Sequence, residues 1–444
     1  MQTSFSLVQL ADPDLSEADR ILRACVHCGF CTATCPTYVL LGDEDDSPRG
    51  RIYLVKDMLE KGEPARPEVV THIDRCLSCL GCMTTCPSGV HYMHLIDHAR
   101  AYVETTYRRP LADRLVRTTL LRVMTRPLLF RVMLRAALLA KPLAPVLDLV
   151  RLKPLAAMLR LAPARLPRRS RAAPGVFPAK GRRRGRVAVL SGCVAPVLAP
   201  HINAAAVRVL TRHGFDVVQA RDEGCCGALA HHMGRREDAH AAARRNIDAW
   251  IREVDGNGID AILTTASGCG TMMKDYGFML RNDQGYAERA ARISGLCRDV
   301  SEFISEIKSL EYVPLPSIRV AYHGACSLTH GQRVTEAPKT MLANAGFKLM
   351  DIPEGHLCCG SAGTYNMLQP ELANRLRDRK IANIDKVMPE MIAAGNIGCI
   401  TQIAAGTPIP VVHPIELIDW ATSGSAPKAL EGTRWSDAIG DSRE

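Results

Sequence analysis

The chain is poor in aromatic residues, which make up only 5% of its 444 positions. Proteins that hold single-stranded nucleic acids stack the bases on aromatic side chains, so this scarcity argues against nucleic-acid binding. The apolar stretches are also short. None reaches about 18 uninterrupted residues, and the sequence therefore predicts no transmembrane helix.

Two further signals are missing from the sequence. Residues 1–10 have neither the basic start nor the long apolar core of a secretory signal peptide, which favours an intracellular protein. No Gly-x-Gly-x-x-Gly run follows a predicted strand, and no other flavin or dinucleotide motif is visible. The chain is therefore not expected to oxidise a substrate by itself.

Cysteine, by contrast, is abundant, with 17 residues. Two runs, Cys25–Pro36 and Cys76–Pro87, share the pattern C-x2-C-x2-C-x3-C-P. This is the spacing of two-cluster ferredoxins, in which the last cysteine of each run ligates the other cluster. The predicted ligands are Cys25, Cys28, Cys31 and Cys86 for one 4Fe–4S cluster and Cys76, Cys79, Cys82 and Cys35 for the second.

Zinc and disulfides are the alternatives for these runs. Zinc ribbons use paired C-x2-C knuckles with four ligands in total, whereas these runs hold eight cysteines in two triplets, each with a trailing Cys-Pro. An intracellular, cysteine-rich chain also points to metal rather than to disulfides. Both considerations favour iron–sulfur clusters and electron transfer.

The second half of the chain contains an internal duplication. Cys193 and Cys326 are 133 residues apart, as are two Cys-Cys-Gly runs that begin at Cys225 and Cys358. The carboxyl ends of parallel strands meet at one edge of a sheet, so four cysteines are expected to converge in each repeat. The candidate sites are Cys193, Cys225, Cys226 and Cys269 in the first repeat and Cys326, Cys358, Cys359 and Cys399 in the second.

The chemistry of the repeat sites stays open at the level of sequence. Adjacent cysteines suit different irons of a further cluster, but a zinc site, a redox-active thiol pair or a vestigial site also fits. Cys297 has no counterpart in the other repeat and is expected to be a packed core thiol.

Several histidines are candidates for a role near the metal. His323 and His413 follow predicted strands, where each can be a cluster ligand, a proton carrier near a quinone or a hydrogen-bonded structural residue. His27 lies inside the first run and is expected to tune its cluster through a hydrogen bond. His231 and His232 are expected to form a surface pair on a helix.

Positive charge is concentrated in one segment. Between Arg108 and Arg186 there are 21 Lys and Arg and two acids, a local net charge of +19. Because the net charge of the whole chain is +10, the remaining residues have a net charge of −9. Recurrent prolines divide this segment into short basic amphipathic helices. Such helices either lie on an anionic membrane surface or pack their apolar side on the rest of the protein.

The patterning predicts an α+β protein, in which a helical two-cluster ferredoxin domain precedes a duplicated α/β cysteine-rich domain. Helices are expected from Ser16 to about Cys25, over residues 47–60 and over residues 228–254. Strands are expected at 187–190, 216–219 and 261–265. The predicted divisions are a ferredoxin domain at 1–105, a basic connector at 106–186, repeats at 187–315 and 316–425, and a tail at 426–444.

The chain resembles a known family at these same residues. The runs Arg23–Tyr38, Leu41–Glu44 and Asp46–Tyr53, followed by two Cys-Cys-Gly repeats, are similar to the iron–sulfur subunits of flavin-linked 2-hydroxyacid and glycerol-3-phosphate dehydrogenases. The resemblance is clearest to the glycolate oxidase (glycolate dehydrogenase) iron–sulfur subunits. Related modules occur in heterodisulfide reductase.

The resemblance implies an electron-transfer subunit of an oxidoreductase complex. FAD-binding partner subunits would oxidise glycolate to glyoxylate, and this chain would pass the electrons towards a quinone or another acceptor. It would be membrane-associated, on the cytoplasmic face of the inner membrane. The alternatives are a subunit for D-lactate or glycerol-3-phosphate oxidation, or a thiol–disulfide enzyme like heterodisulfide reductase.

One departure from heterodisulfide reductase bears on that last alternative. Its repeats end in Cys-x2-Cys and supply five thiolates to an unusual cluster. Here Met272 and Gln402 stand where the last cysteine would be, which leaves four cysteines in each repeat. A simpler cluster, zinc or a structural site is therefore expected, and disulfide reduction is disfavoured.

Overall fold

The computed structural model describes residues 1–149, 156, 159–160, 162–163, 165–167, 175–307 and 310–435. A helical N-terminal part precedes two mostly parallel sheets covered by helices. The mixed helix and sheet architecture confirms the predicted α+β class.

The N-terminal part is built from short helices around the two cysteine runs. They are Leu7–Leu10, Pro13–Ala24, Pro36–Leu41, Pro48–Lys61, Pro67–Asp74, Gly81–Thr85 and Tyr92–Thr106, with 3-10 turns at Phe30–Thr32 and Glu44–Asp46. Four of these helices begin with proline, whose fixed φ and missing N–H suit the first helical position. In the helix Pro48–Lys61, the apolar residues Ile52, Val55, Met58 and Leu59 are buried.

One predicted helix start was wrong. Ser16 was expected to cap the first long helix, but the helix begins at Pro13, where the Asp12 carboxylate accepts hydrogen bonds from the Asp14 and Leu15 N–H groups. The Asp-Pro pair is the stronger start signal, because it supplies both a cap and a preset φ. Ser47 caps its helix as predicted.

The basic connector forms helices Leu111–Met124, Pro127–Ala140 and Ala144–Leu149, with a 3-10 turn at Lys141–Leu143. Leu120, Leu121 and Phe130 are buried, whereas the other side of these helices exposes apolar side chains. Leu111 is 84% exposed and Leu139 is 86% exposed. The connector therefore packs on the protein and still presents an apolar, basic outer face.

The first sheet contains β1 (Gly175–Phe177), β2 (Gly185–Val189), β3 (Phe215–Gln219), β4 (Ala261–Thr264) and β5 (Cys297–Asp299) in the order β1-β3-β2-β4-β5. Only β1 is antiparallel to its neighbour. The helices of this repeat are Ala195–Leu198, Pro200–Arg212, Ala228–His232, Arg236–Gly256, Ser267–Lys274, Tyr276–Met279, Ala287–Leu296 and Val300–Ser305.

The second sheet contains β6 (Arg319–His323), β7 (Lys348–Met350), β8 (Met391–Ala394) and β9 (Val411–Val412) in the order β7-β6-β8-β9. Its helices are Ala337–Asn344, Tyr365–Leu368, Pro370–Asp385, Ile397–Ala404 and Pro414–Ala421, with a π-helix at Ser327–Gly331 and a 3-10 turn at Lys428–Leu430. All its strand pairs are parallel. The order repeats that of β3-β2-β4-β5, which agrees with the duplication seen in the sequence.

The predicted strands of the first repeat are present, but the predicted helix over residues 228–254 is two helices. The break falls at Gly234, whose φ of 78° is outside the helical region. A Cβ at this position would lie 2.3 Å from the Arg100 carbonyl oxygen of the N-terminal part. The break therefore lets the ferredoxin helix Tyr92–Thr106 approach the first repeat.

The two repeats share one core. Side chains from the sheets and helices of both repeats, among them Val187, Leu263, Val320 and Trp420, form a single buried cluster. At its edge, Arg208 and Arg212 of the first repeat both bind the buried Asp419 carboxylate of the second, at 2.5 and 2.6 Å. This packing fixes the orientation of the two candidate cysteine sites.

Candidate iron–sulfur and cysteine sites

The first predicted cluster set lies near the surface. Cys25, Cys28, Cys31 and Cys86 line a small cavity together with Cys82 of the second set. Cys28 is exposed. Burial raises the pKa of Cys25, and the nearby sulfurs of Cys86 and Cys28 raise it further. The structure thus brings the last cysteine of the second run to the first run, as the cross-ligation pattern requires.

The second predicted set is more deeply placed. Burial raises the pKa of Cys82 well above its ordinary value, and the neighbouring sulfurs of Cys79, Cys76 and Cys35 add to the rise. Four thiols this close and this buried cannot all ionise without a cation among them. Because metal binding deprotonates thiols and supplies that charge, the donor set fits a metal cluster.

Two hydrogen-bond donors that sequence reasoning missed point at sulfurs of the second set. The buried Arg51 guanidinium donates to the Cys35 sulfur at 3.7 Å, and the Tyr92 hydroxyl donates to the Cys76 sulfur at 3.7 Å. Arg51 also forms a buried ion pair with Asp46 at 3.0 Å. The run Asp46–Tyr53 carries part of the family resemblance, but nothing in its sequence separates the buried Arg51 from the partly exposed Arg49.

In the first repeat the four cysteines form a chain of contacting thiols. The Cys193 thiol donates a hydrogen bond to the Cys225 sulfur, and the Cys226 thiol contacts the sulfurs of both Cys225 and Cys269 as a donor. Hydrogen bonds from Cys193 and Cys226 lower the pKa of the Cys225 thiol, and the Gly227 N–H also donates to this sulfur, at 3.5 Å. The four predicted residues therefore meet at the carboxyl edge of the first sheet.

The second repeat shows the same geometry. The sulfurs of Cys326 and Cys358 are 3.8 Å apart, and the thiol contacts continue through Cys359 to Cys399. The Gly360 N–H donates to the Cys358 sulfur at 3.4 Å. Gly360 has a φ of 88°, and a Cβ there would lie 2.4 Å from the Ala373 carbonyl oxygen, so the following helix packs closely against this loop.

The positions of the missing terminal cysteines are filled by packed side chains. Met272 is buried in the core of the first repeat. Gln402 is buried and hydrogen-bonded, since its side-chain oxygen accepts from Asn366 at 3.0 Å and its amide donates to the Ala373 carbonyl at 3.2 Å. Among the described residues each repeat thus assembles four thiols.

The sulfurs of both repeats border one large apolar cavity of about 570 Å³. Its other walls come from the connector, through Phe130, Met133 and Ala137, and from Leu77 of the second cysteine run. The residues that supply the cysteine wall are Cys193, Cys225, Cys226, Cys269, Cys326, Cys358 and Cys399. The cavity therefore joins the two repeat sites beneath the connector helices.

The second cysteine run packs directly against the second repeat. Leu77 and Cys79 belong to the same apolar cluster as Cys326, Cys358 and Tyr365. Next to it, the Thr84 hydroxyl lies 2.7 Å from the His330 Nδ1 atom. The cysteines of the second cluster set and those of the second repeat are consequently neighbours.

Four other residues that the sequence singled out, His413, His231, His232 and Cys297, have structural contacts. His413 is structural, because its Nε2 lies 2.8 Å from the Thr265 carbonyl oxygen and its Nδ1 accepts from the Ile415 N–H at 3.1 Å. The expected surface pair was wrong, since His231 lies 3.2 Å and His232 3.6 Å from the Asp97 carboxylate of the ferredoxin part. Cys297 is a buried core thiol, as predicted.

The fold and the thiol sets define an iron–sulfur protein with a duplicated cysteine-rich unit. Family models agree, since a 4Fe-4S dicluster domain matches residues 21–90 and a cysteine-rich domain matches residues 187–274 and 320–404. A glycolate oxidase iron-sulfur subunit from Escherichia coli (strain K12) is 44% identical over 421 residues, which cover 95% of this chain and 99% of that protein. The chain belongs to the family of glycolate oxidase iron–sulfur subunits.

More distant relatives place the chain in a wider group. A probable glycolate oxidase iron-sulfur subunit from Bacillus subtilis (strain 168) is 29% identical and covers 87% of this chain and 89% of that protein. Lactate utilization protein A from Bacillus licheniformis is 25% identical and covers 53% of this chain and 99% of that protein. A crystal structure of a hypothetical protein from Helicobacter pylori shares the fold, with a TM-score of 0.52, 9% identity and coverage of 96% of this chain and 76% of that one.

We expect Tyr92→Phe to lower the reduction potential of the second cluster, because hydrogen bonds to cluster sulfurs stabilise the reduced form. Burial raises the pKa of Tyr92 well above its ordinary value, so the hydroxyl remains a donor at neutral pH. A net hydrogen bond worth about 1 kcal/mol corresponds to roughly 40 mV for one electron. The measurement is a redox titration followed by EPR. Tyr102→Phe is the control, since that hydroxyl donates to the Glu63 carbonyl instead, and an equal shift in both variants would contradict the assignment.

Proposed function

We propose that this chain is the iron–sulfur, electron-transferring subunit of a flavin-linked oxidoreductase that oxidises glycolate. Two relatives are named glycolate oxidase iron-sulfur subunit and probable glycolate oxidase iron-sulfur subunit, and the matches cover 99% and 89% of those proteins. The observation that carries the proposal is the spatial arrangement of the thiols as a series of neighbouring sets. The series runs from the first cluster set, with the exposed Cys28, to the buried second cluster set and on to the thiols of the second repeat. A row of metal centres at short range is what single-electron transfer needs.

Electrons enter at the first cluster set. Val26 and Phe30, on either side of Cys28, are exposed apolar residues. Exposed aromatic residues of this kind are typical anchors of protein interfaces. The flavin-bearing partner subunit docks on this patch, which puts its electrons next to the exposed end of the thiol series.

The test of this function is reconstitution. The anaerobically purified chain alone is expected to show no glycolate-dependent dye reduction, and activity returns when the flavin subunits are added. Phe30→Ser should lower that activity at least about 10-fold by removing an interface anchor, while dithionite-reduced EPR signals stay unchanged. Tyr53→Ser, at another exposed aromatic residue, is the control. Glycolate oxidation by the flavin-free chain would refute the proposal.

Electrons leave through the repeats to a lipophilic quinone. The walls of the 570 Å³ cavity are predominantly apolar, and seven cysteines of the two repeats reach them. Ligand pockets are commonly apolar clefts of several hundred Å³ with a few polar groups. A quinone ring held here would lie beside the thiol sites, with the apolar connector side chains around its tail.

Filling this cavity should weaken quinone binding. Ala137→Trp places a large ring among the connector residues of the cavity wall, and overpacking of this kind costs about 1–3 kcal/mol. We expect a short-chain quinone to bind the full chain about 10-fold or more weakly, as measured by equilibrium dialysis. Leu139→Trp, on the exposed outer side of the same helix, should leave binding unchanged. Equal quinone affinity of the two variants would show that the quinone does not bind in this cavity.

The connector docks the complex on the membrane surface. Among the described helices none is long and apolar enough to cross a bilayer. The outer side of the connector combines exposed leucines, such as Leu111, Leu128 and Leu139, with basic residues. Amphipathic basic helices of this type bind anionic lipid surfaces while they stay outside the hydrocarbon core.

Neutralising the exposed arginines of the connector should release the chain from anionic vesicles. Arg122, Arg126 and Arg135 are exposed, whereas Arg131 donates to the Pro167 carbonyl. At about 1 kcal/mol for each residue, changing these three to Gln should weaken co-sedimentation roughly 100-fold. The control changes the exposed Arg252, Arg292 and Arg298 to Gln, so it has the same net charge as the connector variant. Equal binding of the two variants, or binding that resists high salt, would leave the connector as a linker only.

A further inference from the structure

The two repeats differ at a buried position beside their cysteines. β2 pairs Val187 with Ala261, and β6 pairs Val320 with Met391, so residues of β2 and β6 that are 133 apart occupy matching places in the two sheets. This register puts His323 of the second repeat where the first has Leu190. Both are inaccessible, with exposures of 1% and 3%. An imidazole therefore stands where the first repeat has an aliphatic side chain.

His323 has no hydrogen-bond partner among the described residues. Both ring nitrogens are buried and unpaired. Buried polar atoms are normally satisfied, and an orphaned pair on one ring calls for an explanation. His413 is equally buried and uses both of its nitrogens in hydrogen bonds. Burial alone is therefore not the reason for the unpaired ring.

The unpaired ring lies beside two thiols. One nitrogen of His323 and the sulfurs of Cys359 and Cys399 are all within 4.8 Å of one another. Metal–nitrogen bonds of about 2.0 Å and metal–sulfur bonds of about 2.3 Å can span such a set after a small contraction. Cys326 and Cys358, 3.8 Å apart, continue the same row of thiols.

A second difference supports a charged centre in this repeat. The helices that follow the two Cys-Cys-Gly loops can be aligned through Ala239 and Ala373, which contact the matching glycines of the two loops. In this alignment Lys380 stands where the first repeat has Asn246. Both side chains are buried and hydrogen-bond to the backbone of the loop. Asn246 donates to the Cys225 carbonyl oxygen, and Lys380 donates to the Glu354 carbonyl oxygen. A buried ammonium beside thiols favours their thiolate, metal-binding form.

We propose that His323 is a metal ligand, so that the second repeat holds a mixed imidazole–thiolate centre while the first holds an all-thiolate one. The occupant is a thiophilic metal, either zinc or the iron of a cluster. The inference concerns metal binding by this chain and does not depend on glycolate as the substrate. If the occupant is iron, a neutral imidazole in place of a thiolate raises the reduction potential, which makes the second repeat the more oxidising of the two.

The test compares metal content and nitrogen ligation in the full chain with and without His323. The anaerobically purified wild-type chain should show a nitrogen neighbour at about 2.0–2.1 Å by X-ray absorption if the site holds zinc. If the site holds iron, pulsed EPR should show a strongly coupled nitrogen that responds to ¹⁵N-histidine labelling. His323→Leu, which copies the first repeat, should abolish the nitrogen signal and weaken metal binding about 10-fold or more.

Two further variants keep the result interpretable. His413→Gln removes the structural histidine and should retain the nitrogen signal. His323→Cys supplies a soft ligand of another kind, and it should keep the metal but lose the nitrogen signal even if His323→Leu fails to fold. No nitrogen neighbour in the wild-type chain, or a signal that persists in His323→Cys, would overturn the proposal.

Discussion

The carboxyl ends of two duplicated parallel sheets meet beneath the connector, and the placement of every thiol set beyond the ferredoxin runs follows from this packing. Each sheet delivers its cysteines to the edge where its strands end. The shared core and the ion pairs at Asp419 hold the two edges towards one cavity. If either sheet turned away, its cysteines would still converge, but they would face solvent or an unrelated surface.

This packing also explains why the ferredoxin part lies where it does. Its second cysteine run touches the second repeat through Leu77, Cys79 and Thr84, whereas its last helix approaches the first repeat at Gly234. The ferredoxin part thus contacts both repeats, and within the described residues its second cysteine run adjoins the thiols of the second repeat. The duplicated unit is used asymmetrically, and the residues that break the symmetry, His323 and Lys380, belong to the repeat that the second cluster set adjoins.

Sequence reasoning succeeded where the signal is local or periodic. The two cysteine runs, the helix capped by Ser47 and the strands of the first repeat are encoded by short spacings, and the duplication by a constant offset. It failed where the deciding contact joins distant residues. The sequence near His231 does not predict its contact with Asp97, and the sequence near Gly234 does not predict the close approach of the Arg100 carbonyl oxygen. The role of Arg51 was equally hidden, because a buried cation is recognised only once its partners Asp46 and Cys35 surround it.

Charge compensation links the fold to its cofactors. The chain places buried cations beside buried thiols, Arg51 near the second cluster set and Lys380 near the second repeat. Such cations are costly to bury alone, and buried thiolates are costly as well. Each cost falls when a metal centre with net negative charge forms between them. Loading with metal would therefore be coupled to the final packing of these regions. The cavity-lining residues that the structure describes include no Asp, Glu, Lys or Arg, and neither Arg51 nor Lys380 is among them.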